Sequence, residues 1–439
     1  MIRFVACLLL TVAATPLAGQ SSRQRTLRDT FFDLFRFGGT ECGAEVLLCL
    51  VNSSGASAAE AFSTNANATA ATLTQFVQSS ITQGLANLPT PSTSSGLLFR
   101  LSEAGVPVPD ETQSAGPIFG ERALTLGKRK WLIGANLTDL TLSNLRGTPI
   151  DSIAFNVAQR DLPPGGGVLG DPPIEQTYLH VDTRIGLQAR VLNLFMTYGL
   201  RDNLDVGVTI PVVQAALSGF SDARIVPGRD SDPAAGFSFG GPPEDPRLIT
   251  RTVVPRVSKI GIGDVAVRAK YRLTSRESTV GIGFLADLRL PTGKEENFHG
   301  SGSTWVRGMA ALTWKTPFGA VPHLNVGYYW RRGEGFRNAV LLNVGFDQRV
   351  SSAFTVAGNI LGQQVIGNNP LRTEQFQITG QTPFLTSNIP TRRDDVYDAS
   401  LGLKYTRGPL TALFNAIAPM NQGGLRSDVL LTTGLQVTF

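Results

Sequence analysis

Few residues in this chain could carry out chemistry, and their spacing matches no catalytic or metal site. The 439 residues include three histidines, His180, His299 and His323. His180 and His323 fall on the polar parity of predicted strands, where a hydrogen-bonded structural role is far commoner than general acid–base catalysis. His299 stands close to Glu295 and Glu296, but this spacing fits no defined zinc or calcium site. We therefore predict a protein that is not an enzyme and that has no catalytic residue, metal site or cofactor.

A larger set of charged residues recurs on one parity of the alternating stretches. Because an Arg on the lipid-facing side of a membrane strand costs about 2–4 kcal/mol near the bilayer midplane, this parity is predicted to face inward. The predicted lumen-lining residues are His180, Asp182, Arg184, Arg190, Asp264, Arg268, Lys270, Arg272, Asp287, Arg289, Arg307, His323, Arg331, Asp347 and Arg349. Cations outnumber carboxylates in this set, and rings of Arg and Lys favour anions, so a basic lumen is predicted. The alternative is that all of these charges form structural pairs and say nothing about cargo.

Alternation with a period of two predicts the strands that would position these residues. Residues 179–191 are the clearest case, because Leu, Val, Ile and Ala alternate there with polar residues, as in a strand with one apolar face. The alternation slips near Leu192 and Asn193, which predicts a β-bulge. A long loop is predicted at 215–259. Further strands are predicted at about 131–142, 204–212, 261–273, 280–290, 304–315, 321–331, 339–350, 353–363, 395–406 and 409–418.

The final stretch, 428–439, is a predicted strand that ends on an aromatic residue. All of its apolar side chains except Leu430 share one parity, and the last of them are Leu435, Val437 and Phe439. This pattern resembles the C-terminal signal of bacterial outer-membrane barrels, which implies that these three residues are read by the barrel assembly machinery. The alternative is the edge strand of a soluble β-sandwich.

The lengths of the connections favour the barrel. Counted back from a periplasmic C-terminus, short connections alternate with long ones, as expected for barrels with short periplasmic turns and longer outside loops. Twelve strands result, or fourteen if two weaker candidates at 97–101 and 120–126 are included. The predicted fold class is therefore all-β: an antiparallel transmembrane β-barrel of 12–14 strands at 96–439, with a short N-terminal helical segment.

The N-terminus reads as a secretory signal. Arg3 precedes an apolar run and a small-residue end, so residues 1–19 are predicted to be a signal peptide. An exported chain with a net charge of +5 and no basic cluster is not expected to bind nucleic acid. The exported chain keeps Cys42 and Cys49, which are predicted to form a disulfide in an oxidising compartment. The alternative is that they are two small buried residues.

Residues 20–95 differ from the remainder of the chain. Apolar residues such as Phe76 and Ile81 recur there at three- and four-residue steps, the helical period. A helical segment before a barrel predicts either a periplasmic appendage or a plug inside the lumen. A poorly ordered leader is the alternative.

Three stretches carry a resemblance to a known family. They are TYGLRDNLDVGVTIP at 197–211, GIGDVAVRAKYRL at 261–273 and LRLPTGKEENFHGSGS at 288–303. They resemble the outer-membrane transporters encoded in aromatic-degradation gene clusters, the phenol meta-pathway family. The resemblance runs from about residue 116 to the end and excludes the helical segment at 20–95. It implies passive passage of small hydrophobic or aromatic compounds.

The sequence as a whole predicts a passive outer-membrane channel with a basic lumen, in a Gram-negative-type bacterium. The expected partners are the lipid bilayer, lipopolysaccharide, the barrel assembly machinery and a small-molecule cargo. The alternative is a structural or adhesive barrel with a closed lumen, acting through its long extracellular loops. A membrane-embedded hydrolase using His180 or His323 is a third hypothesis.

Overall fold

The computed structural model describes most of the chain from residue 114 onward and a few pieces before it. The described residues are 25–34, 51–52, 62, 76, 79–84, 92, 99–101, 107–109, 114–159, 173–228, 237–239, 245, 247–333, 336–367, 375–378 and 383–439. The predicted signal peptide at 1–19 and the predicted disulfide between Cys42 and Cys49 lie outside the described residues.

The main body is a closed antiparallel barrel of twelve strands. Each strand pairs with its neighbour in sequence, and the last strand pairs with the first, as in the register Leu435↔Ala135. This confirms the predicted fold class and fixes the strand count at twelve. The strands are β1 Trp131–Leu145, β2 Tyr178–Arg201, β3 Leu204–Val226, β4 Ala266–Arg272, β5 Val280–Arg289, β6 Trp305–Trp314, β7 Ala320–Arg331, β8 Ala339–Arg349, β9 Phe354–Val365, β10 Val396–Arg407, β11 Leu410–Pro419 and β12 Leu430–Thr438.

The two weaker candidate strands are not part of the wall. Phe99–Leu101 pairs with Pro107–Pro109 in a separate two-stranded sheet. Residues 120–126 form no strand at all. The prediction of fourteen strands was therefore wrong, and the count of twelve holds.

The outer face of the barrel is apolar. Alternate side chains point outward and stay exposed, among them Leu194, Val267, Leu342 and Phe414. So broad an exposed apolar belt is unfavourable in water and suits the hydrocarbon core of a membrane. Exposed aromatic residues lie near the strand ends: Tyr271, Trp314, Trp330 and Tyr405. Such aromatic girdles mark the two interfaces of a bilayer, so the barrel is a transmembrane one.

The two ends of the barrel differ in their connections. At the end we call the short-turn end, the connections include 202–203, 315–319 and 408–409. At the opposite, long-loop end they include 290–304 and 366–395. Short turns face the periplasm in barrels of this kind, so the long-loop end is extracellular. The C-terminal Phe439 lies at the short-turn end, where its carbonyl accepts a hydrogen bond from the Trp131 amide at 2.6 Å.

Two strands extend far beyond the length needed to cross a membrane. β2 has 24 residues and β3 has 23, whereas about 9–11 tilted residues span a bilayer. The upper parts of β2 and β3, which are the parts nearest the long-loop end, pair with each other. They also pair with two further strands, Ile153–Ala158 and Ile249–Ile262. The predicted loop at 215–259 was therefore wrong, because strand occupies both of its ends. We call this projecting four-stranded sheet at the long-loop end the extension.

Strand β2 keeps one parity along its whole length. Its pairing with β3 shifts register only between Gly199 and Arg201, and its pairing with β1 is regular at Leu192 and Asn193, so the predicted bulge there was wrong. Odd-numbered residues face inward throughout. What changes is the environment: in the membrane the outer side chains are apolar, whereas in the extension the apolar side chains are the inner ones.

A short helix, α1 Leu27–Asp33, packs inside the extension. It starts with a capping box in which Thr26 and Asp29 satisfy each other's backbone amides. Phe31 belongs to the apolar core formed with the inner faces of β2 and β3, and Leu34, just after the helix, approaches Gly219 of β3. Phe76 and Ile81, whose helical spacing was noted above, belong to the same core. Among the described residues, no helix is long and apolar enough to cross a membrane.

Candidate functional site in the barrel interior

Residues 114–126, here called the interior segment, run through the inside of the barrel. All thirteen are buried. The segment first contacts the inner faces of β8 to β11, then crosses to β7, β4 and β6. It leaves at the short-turn end, where it continues into β1. Gly199 of β2 lies against this exit so closely that an added Cβ would come within 1.8 Å of the Gly127 carbonyl oxygen. Only glycine fits the wall at this point.

Inward-facing polar side chains hold the backbone of the interior segment. The Ala115 amide donates to Thr355 Oγ1 at 3.1 Å, and the Ala123 amide donates to Thr313 Oγ1 at 2.8 Å. Asn325 makes a double contact with Glu121, accepting from its amide at 2.9 Å and donating to its carbonyl at 2.7 Å. The wall thus satisfies the segment through side chains, whereas neighbouring barrel strands are joined by backbone hydrogen bonds.

Lys404 anchors the start of the segment. Its Nζ donates to the carbonyl oxygens of Ala115 and Pro117, at 3.1 and 2.8 Å. Ile118 then packs with Leu413 and Ile417 in a small apolar cluster. A buried ammonium group is tolerated because peptide oxygens surround it.

A chain of buried charges crosses the middle of the barrel. Lys270 Nζ lies 3.0 Å from Glu121 Oε2, and Arg268 Nη1 lies 3.3 Å from Glu121 Oε1. Arg268 also pairs with Asp287, which pairs in turn with Arg307. We call these five residues the Glu121 cluster. Four of the five side chains come from strand positions on the wall, and Glu121 alone comes from the interior segment.

A second charged contact lies beside the first. Arg122 pairs with Asp347, and both side chains are almost fully buried. Ser114 also donates to this Asp347 carboxylate, so the first residue of the segment and Arg122 meet at one residue of β8. Nearby, His323 Nε2 lies 2.8 Å from Asn359 Oδ1.

Gly120 allows the segment to lie against this part of the wall. A Cβ at position 120 would fall 2.2 Å from His323 Nε2 and 2.6 Å from Asn359 Oδ1. A side chain there would therefore force the segment away from β7 and β9. The sequence of the segment and the side chains of the wall are matched at this position.

Most of the predicted lumen-lining residues point into the barrel. Buried inside it are Arg268, Lys270, Arg272, Asp287, Arg289, His323, Arg331 and Asp347, with Arg307 slightly more exposed. They do not surround an open space, because the interior segment covers several of them. Arg331 lies over the rings of Trp305 and Tyr329, at 4.9 and 4.5 Å from their centroids.

Four of the predicted residues lie on the outside. Asp182, Arg184 and Arg190 are exposed on the outer face of β2, and His180 is half-buried there. The lumen prediction was wrong for these four, because they belong to the extension, whose outer face meets water and whose inner face is dry. Arg190 pairs at 2.6 Å with Asp139 on the neighbouring strand.

Two more predicted residues order connections at the ends of the barrel. Asp264 accepts hydrogen bonds from the Gly293 and Ser301 amides, at 3.1 and 2.8 Å, and so shapes the 290–304 connection. Arg349 donates to the carbonyl oxygens of Ser351 and Ser352 in a short turn, both at 3.0 Å. Neither is placed to contact a passing solute in the middle of the barrel.

His299 lies buried in the 290–304 connection, against Gly261 of the Ile249–Ile262 strand. Burial lowers its pKa below the ordinary value, while a hydrogen bond from the ring to the Lys259 backbone opposes this shift. Among the described residues, no group of three or more His, Cys, Asp or Glu side chains could hold a metal ion.

The functional residues missed by sequence reasoning are those of the interior segment itself. Glu121 and Arg122 lie in the weaker candidate strand at 120–126, and Ser114 lies just before it, so the sequence predicted no interior role for them. The available signal was adjacent opposite charges in a glycine-rich stretch directly before the first strand. Such a stretch cannot cross a lipid bilayer as an isolated chain, because its backbone would lack hydrogen-bond partners.

The fold and the interior together define a class of protein. The chain is an outer-membrane β-barrel, since antiparallel barrels with an apolar outer belt are the strand-built architecture of that membrane. Its interior is filled by its own chain.

Comparisons with known proteins do not assign this chain to a family. No family model matches the chain, and no curated protein matches its sequence. Solved structures similar to it include an outer-membrane channel from Pseudomonas putida F1, with 12% identity over 72% of this chain and 98% of that one, and a TM-score of 0.41. A Pseudomonas aeruginosa FadL homologue has 12% identity over 80% of this chain and 98% of that one, and a TM-score of 0.33. CymD, described as a monoaromatic hydrocarbon channel, has 10% identity over 71% of this chain and 89% of that one, and a TM-score of 0.34. All three TM-scores are low, so these structures do not identify a cargo for this chain, and the resemblance to the phenol meta-pathway family stays a prediction.

Proposed function

We propose that this protein is a passive outer-membrane channel for small hydrophobic or aromatic compounds, closed in this state by its interior segment. The observation that carries the proposal is how the segment is attached. Its described contacts with the wall are made through side chains such as Thr313, Asn325 and Thr355. The segment can therefore shift without breaking the backbone ladder that closes the barrel, which is what a gate requires.

The inner lining of the extension supports an apolar cargo. Leu179, Val181, Leu187 and Leu217 face inward there and are almost fully buried. They are covered by the chain's own apolar groups, including Phe31. An apolar solute entering from outside would meet this surface first, once those groups move. The family resemblance of the sequence points to the same chemical class.

We further propose that the apolar belt contacts the bilayer and that lipopolysaccharide contacts the exposed outer face of the extension. Leu435 and Phe439 are exposed on the lipid-facing parity of β12, as a strand read by the assembly machinery requires. We assign residues 20–95 a plug role rather than a periplasmic one, because their described parts, such as Phe31 and Ile81, pack within the extension.

The test is to lock and release the interior segment. A Cβ added at Gly281 would lie 3.1 Å from the Ala123 Cβ, close to the roughly 3.5–4.5 Å of a disulfide. The Ala123→Cys/Gly281→Cys pair should therefore tie the segment to β5. The same chain should also carry Gly120→Val, which pushes the segment off the wall, and Cys42→Ser/Cys49→Ser, which removes other thiols.

Single-channel conductance and swelling of liposomes in an uncharged aromatic solute give the readout. We expect Gly120→Val to open steady conductance and solute entry, the oxidised disulfide to abolish both, and a reductant to restore them. The control is the same chain with Ala123→Cys alone, which should not respond to the reductant. Silence of Gly120→Val in both assays, with the barrel folded, would contradict the channel and favour a closed structural barrel.

A further inference from the structure

We propose that Lys270 and Arg268 form a carboxylate-binding subsite in the channel, and that Glu121 occupies it as an internal ligand in the closed state. This inference rests on the proposed channel function and deepens it by naming the chemical class of cargo. The class is a small amphiphilic acid, with an apolar body and one carboxylate.

The geometry is that of a ligand in a site. Arg268 and Lys270 lie two residues apart on β4, so both side chains point inward. Each cation takes one oxygen of the same carboxylate: Lys270 Nζ takes Oε2 at 3.0 Å, and Arg268 Nη1 takes Oε1 at 3.3 Å. All three side chains are at most 7% exposed. A planar group with two equivalent oxygens therefore fits this pair of cations.

The charges of the cluster show what would follow if Glu121 moved away. The wall contributes three cations, Arg268, Lys270 and Arg307, and one carboxylate, Asp287. Asp287 remains committed to Arg268 and Arg307 whether or not the segment is in place. Withdrawing Glu121 would raise the formal charge of the cluster from +1 to +2 in a buried environment. Uncompensated buried charge is strongly unfavourable, so the wall would favour a replacement anion.

The same arrangement discriminates between classes of solute. A neutral amide could accept hydrogen bonds from Lys270 and Arg268, but it would leave the added charge uncompensated. A carboxylate restores both the hydrogen bonds and the charge. The apolar inner lining of the extension, which includes Leu187 and Leu217, suits the remainder of such a molecule.

The experiment measures binding of benzoate, with benzamide as its uncharged counterpart, to the full chain in detergent micelles by calorimetry. Glu121→Gln keeps the size of the internal ligand and removes its charge. We expect this variant to bind benzoate about tenfold or more tightly than the unaltered chain, and to bind benzamide no differently. Adding Lys270→Met to Glu121→Gln should remove the gain. Glu277→Gln, the same change in an exposed short turn, is the matched control and should have no effect.

Two results would overturn the subsite. One is equal benzoate affinity in the unaltered chain and Glu121→Gln; the other is a gain that survives Lys270→Met. Circular dichroism checks that each variant is folded. If Glu121→Gln does not fold, Glu121→Asp shortens the carboxylate instead, and it should still bind benzoate more tightly than the unaltered chain; an unchanged affinity overturns the subsite. Liposome swelling in an uncharged aromatic solute reports on the channel independently, so failure of the subsite is distinguishable from failure of the channel.

Discussion

The lower and upper halves of strand β2 have the same geometry and opposite chemistry. In the lower half Leu194 and Met196 face outward and are exposed, while Asn193 and Thr197 face inward. In the upper half the outward residues are polar, and Leu187 and its neighbours form a dry inner core. The outer face of this barrel is therefore apolar only where lipid covers it. Parity reports which residues share a face, and the surrounding medium decides which face is buried.

The largest effect should come from emptying the dry inner core. Leu217→Ala removes a fully buried side chain of β3, and such changes cost about 2–5 kcal/mol because a cavity remains. Leu194→Ala on the lipid-facing side should cost less, because lipid chains refill the space. Free energies of unfolding from urea titrations of the two variants test this difference. Equal losses would mean that the inner face of the extension is not a packed core.

The next largest effect should come from a charge on the outer face. Leu194→Arg places a guanidinium against lipid and should cost about 2–4 kcal/mol near the midplane. Gln188→Arg makes the same change on the same face, but above the membrane, and should stay within about 0.5 kcal/mol. The measurement is again the free energy of unfolding, in lipid vesicles. Similar penalties at both positions would place the membrane boundary above Gln188.

A smaller effect is expected at the start of α1, the helix that packs inside the extension. Thr26 caps this helix through the Asp29 amide at 3.1 Å. Thr26→Ala should destabilise the helix by about 0.5–2 kcal/mol, whereas Thr26→Ser should retain the cap. Amide hydrogen exchange of residues 27–33 would detect the loss as faster exchange. Unchanged exchange rates in Thr26→Ala would show that packing alone holds α1.

Acid should loosen the 290–304 connection around His299. The pKa of His299 is lowered by burial in the folded protein, so below its unfolded value of about 6.5 the unfolded state binds more protons. Stability should therefore fall as the pH drops through 6.5 and below. His299→Asn should weaken this dependence. The check is hydrogen exchange of the 290–304 connection at pH 7 and pH 5, and an identical pH response in the variant would rule His299 out.

The smallest effect should come from the exposed pair on the outer face. Arg190 and Asp139 lie 2.6 Å apart, but more than half of each side chain is exposed. Such surface pairs contribute about 0–1 kcal/mol. A double-mutant cycle with Arg190→Ala and Asp139→Ala should give a coupling energy at the low end of this range. A coupling energy well above it would mean that lipid or lipopolysaccharide shields the pair from water.

Much of the wall was predictable from the sequence because two-residue periodicity is a local property. Strands such as Ala339–Arg349 and Val396–Arg407 lie within two residues of their predicted bounds. Which of the two faces of a strand is charged and which is apolar on the inside depends on the surrounding medium, and the local sequence does not report it. For Arg268 and Lys270 the lipid argument placed the charges inside, whereas for Arg184 and Arg190 the same argument failed, because no lipid surrounds that part of β2.

The contents of the barrel were still less predictable. The interior segment is held by hydrogen-bond partners that are up to 289 residues away, as in the bond from Lys404 to the Ala115 carbonyl oxygen. No pattern within 114–126 indicates which wall residues it meets. The need for glycine at position 120 is explained by the close approach of His323 and Asn359, which the sequence does not reveal.

The route of the interior segment has a consequence for how the molecule is assembled. α1 lies at the long-loop end, and the segment leaves at the short-turn end just before β1, so the chain passes along the inside of a ring that β1 itself completes. Threading the N-terminal part of the chain through a closed barrel would require pulling more than a hundred residues through the barrel interior. Wrapping the wall around the segment requires no threading. A wall that closes last by pairing β12 with β1 would enclose the segment as this seam forms.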